Sequence, residues 1–236
     1  ILGLPLGRLI GLALGWRMTF LFLSFVSLLD MAICGDLPCA DARAPFTLHD
    51  LPGLLRNPIV MGVSFLALLY AGSYFTVYSY IEPFLETVAH FSAQGITWTL
   101  VFLGVCGIGG MLLFRFYEAR RQPVFYFELG ALLAVMVLFL PAASFRPTML
   151  LCCMVFGMIF TMFGTTMQAE LIRGCPQAAA PVAMAIYSGI FNVGIASGTW
   201  LGGHLVSRDL LSYIGFAGAV LAVGATLVAC AFTCRK

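Results

Sequence analysis

In the stretch YSYIEPFLET a carboxylate, Glu82, stands beside two tyrosines, Tyr78 and Tyr80, and just before a proline, Pro83. Proline disfavours helical geometry at the residue preceding it, so the helix is predicted to bend or end at Glu82 and to free carbonyls near the carboxylate. A carboxyl removed from water holds its proton more readily, which suits a group that takes up and releases one. Glu82 is equally placed to be solvated at a membrane interface. Tyr78 and Tyr80 can bond a hydroxylated solute or close a mouth, and tyrosine also decorates membrane interfaces for its own sake. Arg8 is a lone cation in an apolar run. It either snorkels to water or points inward and pairs with a carboxylate. In YSGIFNVG, Tyr187, Phe191 and Asn192 combine two rings and an amide, a set suited to an uncharged polyol; Asn192 serves equally as glue between helices. Asp30, Glu128, Gln168 and Glu170 are read as groups near the inner membrane boundary.

None of these sets assembles an enzyme. Ser188–Gly189 and His204 suggest a serine hydrolase, but Ile186 occupies the position two before the serine where a nucleophile elbow needs glycine. There is no His-Glu-x-x-His run and no Gly-x-x-x-x-Gly-Lys loop. Cys34 and Cys39 lack a second pair of zinc ligands. The net charge of +2 is too small and dispersed to draw nucleic acid. No catalytic residue, cofactor or metal is expected.

The elements that hold these residues are helices in a membrane. Hydrophobic residues make up 61% of the chain and charged ones 9%, with a mean hydropathy of +1.02. A soluble domain of this size carries about 25% charged residues. Long uncharged runs match the bilayer core instead. The fold expected is all-α and polytopic, with eight transmembrane helices near 1–15 (incomplete), 18–34, 58–81, 94–114, 124–142, 147–168, 181–205 and 211–232. Pro58, Pro123, Pro147 and Pro181 stand at helix starts, where a missing N–H costs nothing. Asn57 and Ser92 supply capping oxygens.

Alternating the spans so that the first ends outside leaves Arg43, Arg56, Arg115, Arg120, Arg121, Arg173, Arg235 and Lys236 inside. Only Arg17, Arg146 and Arg208 then fall outside, as the positive-inside rule requires. Trp16, Trp98 and Trp200 fall near the outer interface, and the C-terminus is cytoplasmic. The eight cysteines lie within the membrane or on the inner side, so they read as thiols.

Two stretches echo each other. In GLPLGRLIGLALGWR, Gly3, Gly7 and Gly11 surround Pro5 and Arg8; in GIASGTWLGGHLVSR, Gly194, Gly198 and Gly202 repeat the spacing. Glycine every fourth residue leaves a groove for close backbone approach, which lipid-embedded helices need because lipid gives them no hydrophobic reason to associate. The groove serves static packing, or it is a smooth surface on which two bundles rock. Gly104, Gly107 and Gly110 are likewise expected to serve contact between bundles, while Phe160, Met162, Phe163 and Met167 are expected to pack against neighbours or lipid. The repeat suggests two related halves of a carrier. Residues 1–34 then hold the last two spans of a first half, 35–56 a cytoplasmic connecting loop, and 57–236 a six-span second half. Symmetry predicts a twelve-span parent with about 135 further residues ahead of this chain.

At these residues the chain resembles the major facilitator superfamily, in particular its drug:proton antiporter group and the sugar efflux branch. LGLPLGRLIGLALGWRMTF resembles the fifth span of such antiporters, YSYIEPFLETVAHFSA the seventh span and its loop in sugar exporters, and VAMAIYSGIFNVGIASGTWLGG the eleventh. The resemblance implies spans five to twelve of a twelve-span carrier of the bacterial inner membrane, exporting sugars or related solutes in exchange for protons by alternating access. Its expected partners are the lipid bilayer, a sugar-like solute, protons and the missing N-terminal spans. An exporter of amphipathic drugs and a non-transporting remnant stay as alternatives.

Overall fold

The computed structural model of the chain describes residues 3–34, 51–117 and 121–233, and all regular structure among them is helical. The helices are α1 (Gly3–Leu14), α2 (Trp16–Cys34), α3 (Leu51–Leu55), α4 (Pro58–Tyr78), α5 (Ile81–Thr87), α6 (Ala93–Tyr117), α7 (Arg121–Ala142), α8 (Arg146–Arg173), α9 (Ala180–Val206) and α10 (Ile214–Thr233). Among the described residues seven stretches are long and apolar enough to cross a bilayer, with α4 and α5 forming one of them. α1 supplies the eighth expected span, but its 12 residues reach only about 18 Å against a hydrocarbon core of about 30 Å. Residues 35–50 of the expected connecting loop lie outside the described residues, and the end of that loop forms the short helix α3.

Backbone chemistry sets the helix starts. Pro58 opens α4, and Asn57 Oδ1 accepts from the Ile59 and Val60 amides at 2.9 and 3.4 Å. The same side chain donates from Nδ2 to the Gly174 carbonyl, 3.0 Å away beyond the end of α8. One amide thus ties two helix ends together. Asn57→Ala is expected to lower the unfolding free energy by about 1–2 kcal/mol, read by denaturant titration in detergent. Ser92 Oγ accepts from the Gly95 amide at 3.2 Å ahead of α6. Pro147 and Pro181 lie in the first turns of α8 and α9. Gly15 takes φ +87° between α1 and α2, a left-handed conformation that glycine reaches without steric cost.

The long helices α4 and α6–α10 form one bundle. α4 is its most enclosed member, packed chiefly on α9 and α10, while α8 packs on α6 and α7. Tyr70, Tyr74, Phe139, Phe156 and Phe163 fill the interior. The glycines of α9 face α4: a β-carbon at Gly194, Gly198 or Gly202 would strike the carbonyls of Leu68, Gly72 and Thr76 in turn. A spacing of four on both helices lets their ridges interlock. Of the two readings of this groove, static packing and a surface between rocking bundles, the contacts within its own bundle favour the first. A β-carbon at Gly110 would likewise strike the Met158 carbonyl on α8, and one at Gly157 the Leu103 carbonyl on α6. Gly110 thus joins neighbours of one bundle, a correction to the expectation for that trio.

α1 is different. Among the described residues, a β-carbon at Gly7 or Gly11 would meet only Thr19 of α2, at 3.5 and 3.8 Å, and none lies within 4 Å at Gly3. α1 leans on α2 and touches the bundle at α6. No residue of Trp16–Ile33 in α2 is buried against the rest of the chain, so its apolar surface belongs in lipid or against another helix.

Candidate functional site

The break expected at Glu82 falls three residues earlier. α4 ends at Tyr78 and α5 begins at Ile81. Pro83 has no N–H to serve the Ser79 carbonyl four residues back, and its ring crowds that carbonyl, so the helix opens at Ser79–Tyr80. Glu82 then lies in the first turn of α5, and its carboxylate pairs with the Arg8 guanidinium of α1. Arg8 is 11% exposed and Glu82 42% exposed. Arg8 therefore turns inward to a carboxylate instead of snorkelling, and the ion pair bridges α1 to the edge of the bundle.

Tyr80 packs its ring over Gly202 and Gly203 of α9 and donates from its hydroxyl to the Thr199 carbonyl at 3.2 Å. The hydroxyls of Ser79 and Thr199 are 2.8 Å apart. Tyr80, Thr199, Trp200 and His204 line a shallow recess at this end, with the Trp200 and His204 rings stacked at 5.7 Å.

Tyr78, two residues earlier at the end of α4, joins a continuous file of rings. Tyr78 meets Tyr74 at 5.3 Å, Tyr74 stacks on Phe160 of α8 at 4.1 Å, Phe160 meets Phe191 of α9 at 6.3 Å, and Phe191 stacks with Tyr187 at 6.0 Å. Three of the expected solute-binding residues are thus brought onto one aromatic wall built from three helices. Tyr187 and Tyr74 are buried, while Tyr78, Phe160 and Phe191 are half-buried. Tyr74 and Phe160 were missed from sequence as members of this set. Phe160 recurs four residues after Phe156 on the same face, a signal indistinguishable from ordinary core packing. Asn192 is exposed beside the wall and donates from Nδ2 to the Ser188 carbonyl of its own helix at 2.8 Å. It bonds no neighbouring helix through that group, so the interhelical role is not what its amide hydrogens do.

Glu128, expected near the inner boundary, is 0% exposed and enclosed by the bundle. Thr166 of α8, also 0% exposed, lies with its Oγ1 2.8 Å from Glu128 Oε1. Two sequence positions that gave no sign of meeting form a buried polar contact. Among the described residues no group of three His, Cys, Asp or Glu is placed to hold a metal ion.

The sequence has a relative among known proteins. A probable sugar efflux transporter of Pasteurella multocida (strain Pm70) is 37% identical over 225 residues, covering 94% of this chain and 55% of the relative. The chain thus spans about half the length of that relative. Residues 1–199 match the family described as Major Facilitator Superfamily. With that match running through α1, α4 and most of α9, and with helices packed as transmembrane spans, the chain belongs to the Major Facilitator Superfamily.

Proposed function

We propose that this chain forms part of a carrier that exports sugar-like solutes across the bacterial inner membrane in exchange for protons. The observation that carries this reading is the aromatic wall of Tyr78, Tyr74, Phe160, Phe191 and Tyr187. Ring faces cover the apolar face of a sugar, and the adjacent Asn192 offers polar atoms to its hydroxyls. The name of the Pasteurella relative supports the same solute class. The Arg8–Glu82 pair connects a helix of the first sequence half to the second half. Alternating access rocks two such halves about a central site, and a pair across them acts as a latch. Glu82 either holds a proton or pairs with Arg8. A proton arriving from the outer side therefore loosens the latch. The excess of arginine and lysine in alternate loops supports an orientation with this latch outside and the C-terminus in the cytoplasm.

The test is efflux of a radiolabelled thiogalactoside from proteoliposomes holding this chain together with the spans that complete the carrier. Efflux driven by an imposed pH gradient, and abolished by a protonophore, is the expected result. Efflux indifferent to the protonophore overturns the exchange, and no efflux under any gradient overturns transport. Phe160→Ala is expected to weaken solute binding about tenfold, equivalent to about 1.4 kcal/mol, in equilibrium dialysis of the same proteoliposomes. Unchanged binding would remove the wall from the solute site.

A further inference from the structure

Neither the latch nor the aromatic wall uses Glu128. Its surroundings pose a problem of hydrogen counting. Thr166 has one hydroxyl hydrogen and two acceptors within reach: the Met162 carbonyl of its own helix at 3.0 Å and Glu128 Oε1 at 2.8 Å. Threonines within helices commonly donate to the carbonyl one turn back. Where Thr166 does so, the short contact to Glu128 takes a hydrogen from the carboxyl; where it donates to Glu128 instead, only Oε1 is served. The other carboxyl oxygen, Oε2, is buried without a hydrogen-bond partner among the described residues, as is the hydroxyl of Tyr70 on α4. A carboxylate anion with one bare oxygen is costly in such a place, whereas a neutral acid is tolerated.

The charges around it offer no relief. α10, packed against α7, carries no Asp, Glu, Lys, Arg or His. On α8 the nearest charged residues are Glu170 and Arg173, one and two turns beyond Thr166 towards the helix end. α4 brings Tyr70, which lies within electrostatic reach of Glu128, Tyr74 and Tyr187. On α7 itself Tyr126 is the nearest titratable neighbour, with Arg121 at the helix start.

We propose that Glu128 is a proton-carrying carboxyl of the transport cycle, resting on the exchange reading above: it is a neutral acid while the bundle encloses it and releases its proton when the carrier opens to water. Taking up the proton forms one O–H bond on the carboxylate from a proton supplied by water. Releasing it breaks that bond and returns the proton to water on the opposite side. No other reactant enters.

Two measurements test the inference. The first is the infrared difference spectrum of the purified chain in lipid nanodiscs. At neutral pH the wild type should show the carbonyl stretch of a protonated carboxyl, sensitive to deuterium exchange and missing in Glu128→Gln. A wild type without that band, or a band that persists in Glu128→Gln, overturns the inference. The second uses the completed carrier in proteoliposomes. Glu128→Gln should keep at least half of the wild-type solute counterflow, which needs no net proton movement, and should lose proton-driven gradient formation at least tenfold. A variant that still builds the gradient, or that loses counterflow as well, overturns the role. A wild type that shows counterflow without proton drive instead overturns the exchange reading, and the infrared result then stands apart from it.

Discussion

Gly198→Ala is expected to destabilise the bundle by about 2–3 kcal/mol, at the upper end of the range for overpacked sites. The new methyl group would strike the Gly72 carbonyl of α4, and backbone cannot turn aside as a side chain does. Relief requires the two helices to move apart along their whole contact, losing dispersion at Gly194 and Gly202 as well. Gly11→Ala is the paired control. Its methyl group would lie 3.8 Å from Thr19 Oγ1, an ordinary contact, and alanine favours a helix over glycine by about 1 kcal/mol. Stability should hold or rise. Denaturation in mixed micelles, followed by circular dichroism, reads both. The two glycine stripes share a spacing and differ in what fills them, so equal responses would contradict the packing described.

Breaking the latch should have the second large effect. Glu82→Gln and Arg8→Gln are each expected to cut thiogalactoside efflux at least tenfold in the completed carrier. Arg8 is mostly covered, at 11% exposure, so losing its carboxylate leaves a cation in a poor dielectric environment. The double reversal Arg8→Glu with Glu82→Arg rebuilds an ion pair of opposite sense and should recover more activity than either single reversal. A double-mutant cycle on stability should give a coupling of about 1–3 kcal/mol. Acidification should shrink that coupling, because a protonated Glu82 no longer forms an ion pair with Arg8. Additive effects without coupling would reduce the pair to a surface contact.

Much of the fold was legible because membrane spans write themselves in composition. The runs beginning near Pro58, Ser92, Pro147 and Pro181 became α4, α6, α8 and α9, with caps where short polar side chains and proline required them. Helix ends were less legible. Proline acts on the carbonyl four residues before it as well as on its immediate neighbour, and at Pro83 the former decided where α4 opened. The site was legible in its members and not in its pairings. Arg8 was read as either snorkelling to water or meeting some carboxylate, but 74 residues separate it from Glu82, and no local pattern chooses among acids so distant. Tyr187 and Phe191 were recognised as a pair of rings, whereas Tyr74 and Phe160 complete the wall only through the packing of α4 on α8. The burial of Glu128 against Thr166 of α8 was not legible, because sequence gives depth along one helix better than it gives the company around it.

The account rests on an end of the molecule that opens and closes through Arg8 and Glu82. Its most direct test is the distance between spin labels at Leu14, at the end of α1, and Glu86, on α5, measured by pulsed dipolar spectroscopy in the completed carrier. Both positions are exposed, so labels there leave the ion pair in place. A short distance at neutral pH should give way to a second, longer population when the outer side is acidified or when Glu82→Gln is introduced, with solute shifting the balance between the two. One unchanging distance under all of these conditions would contradict the latch and the rocking motion built on it.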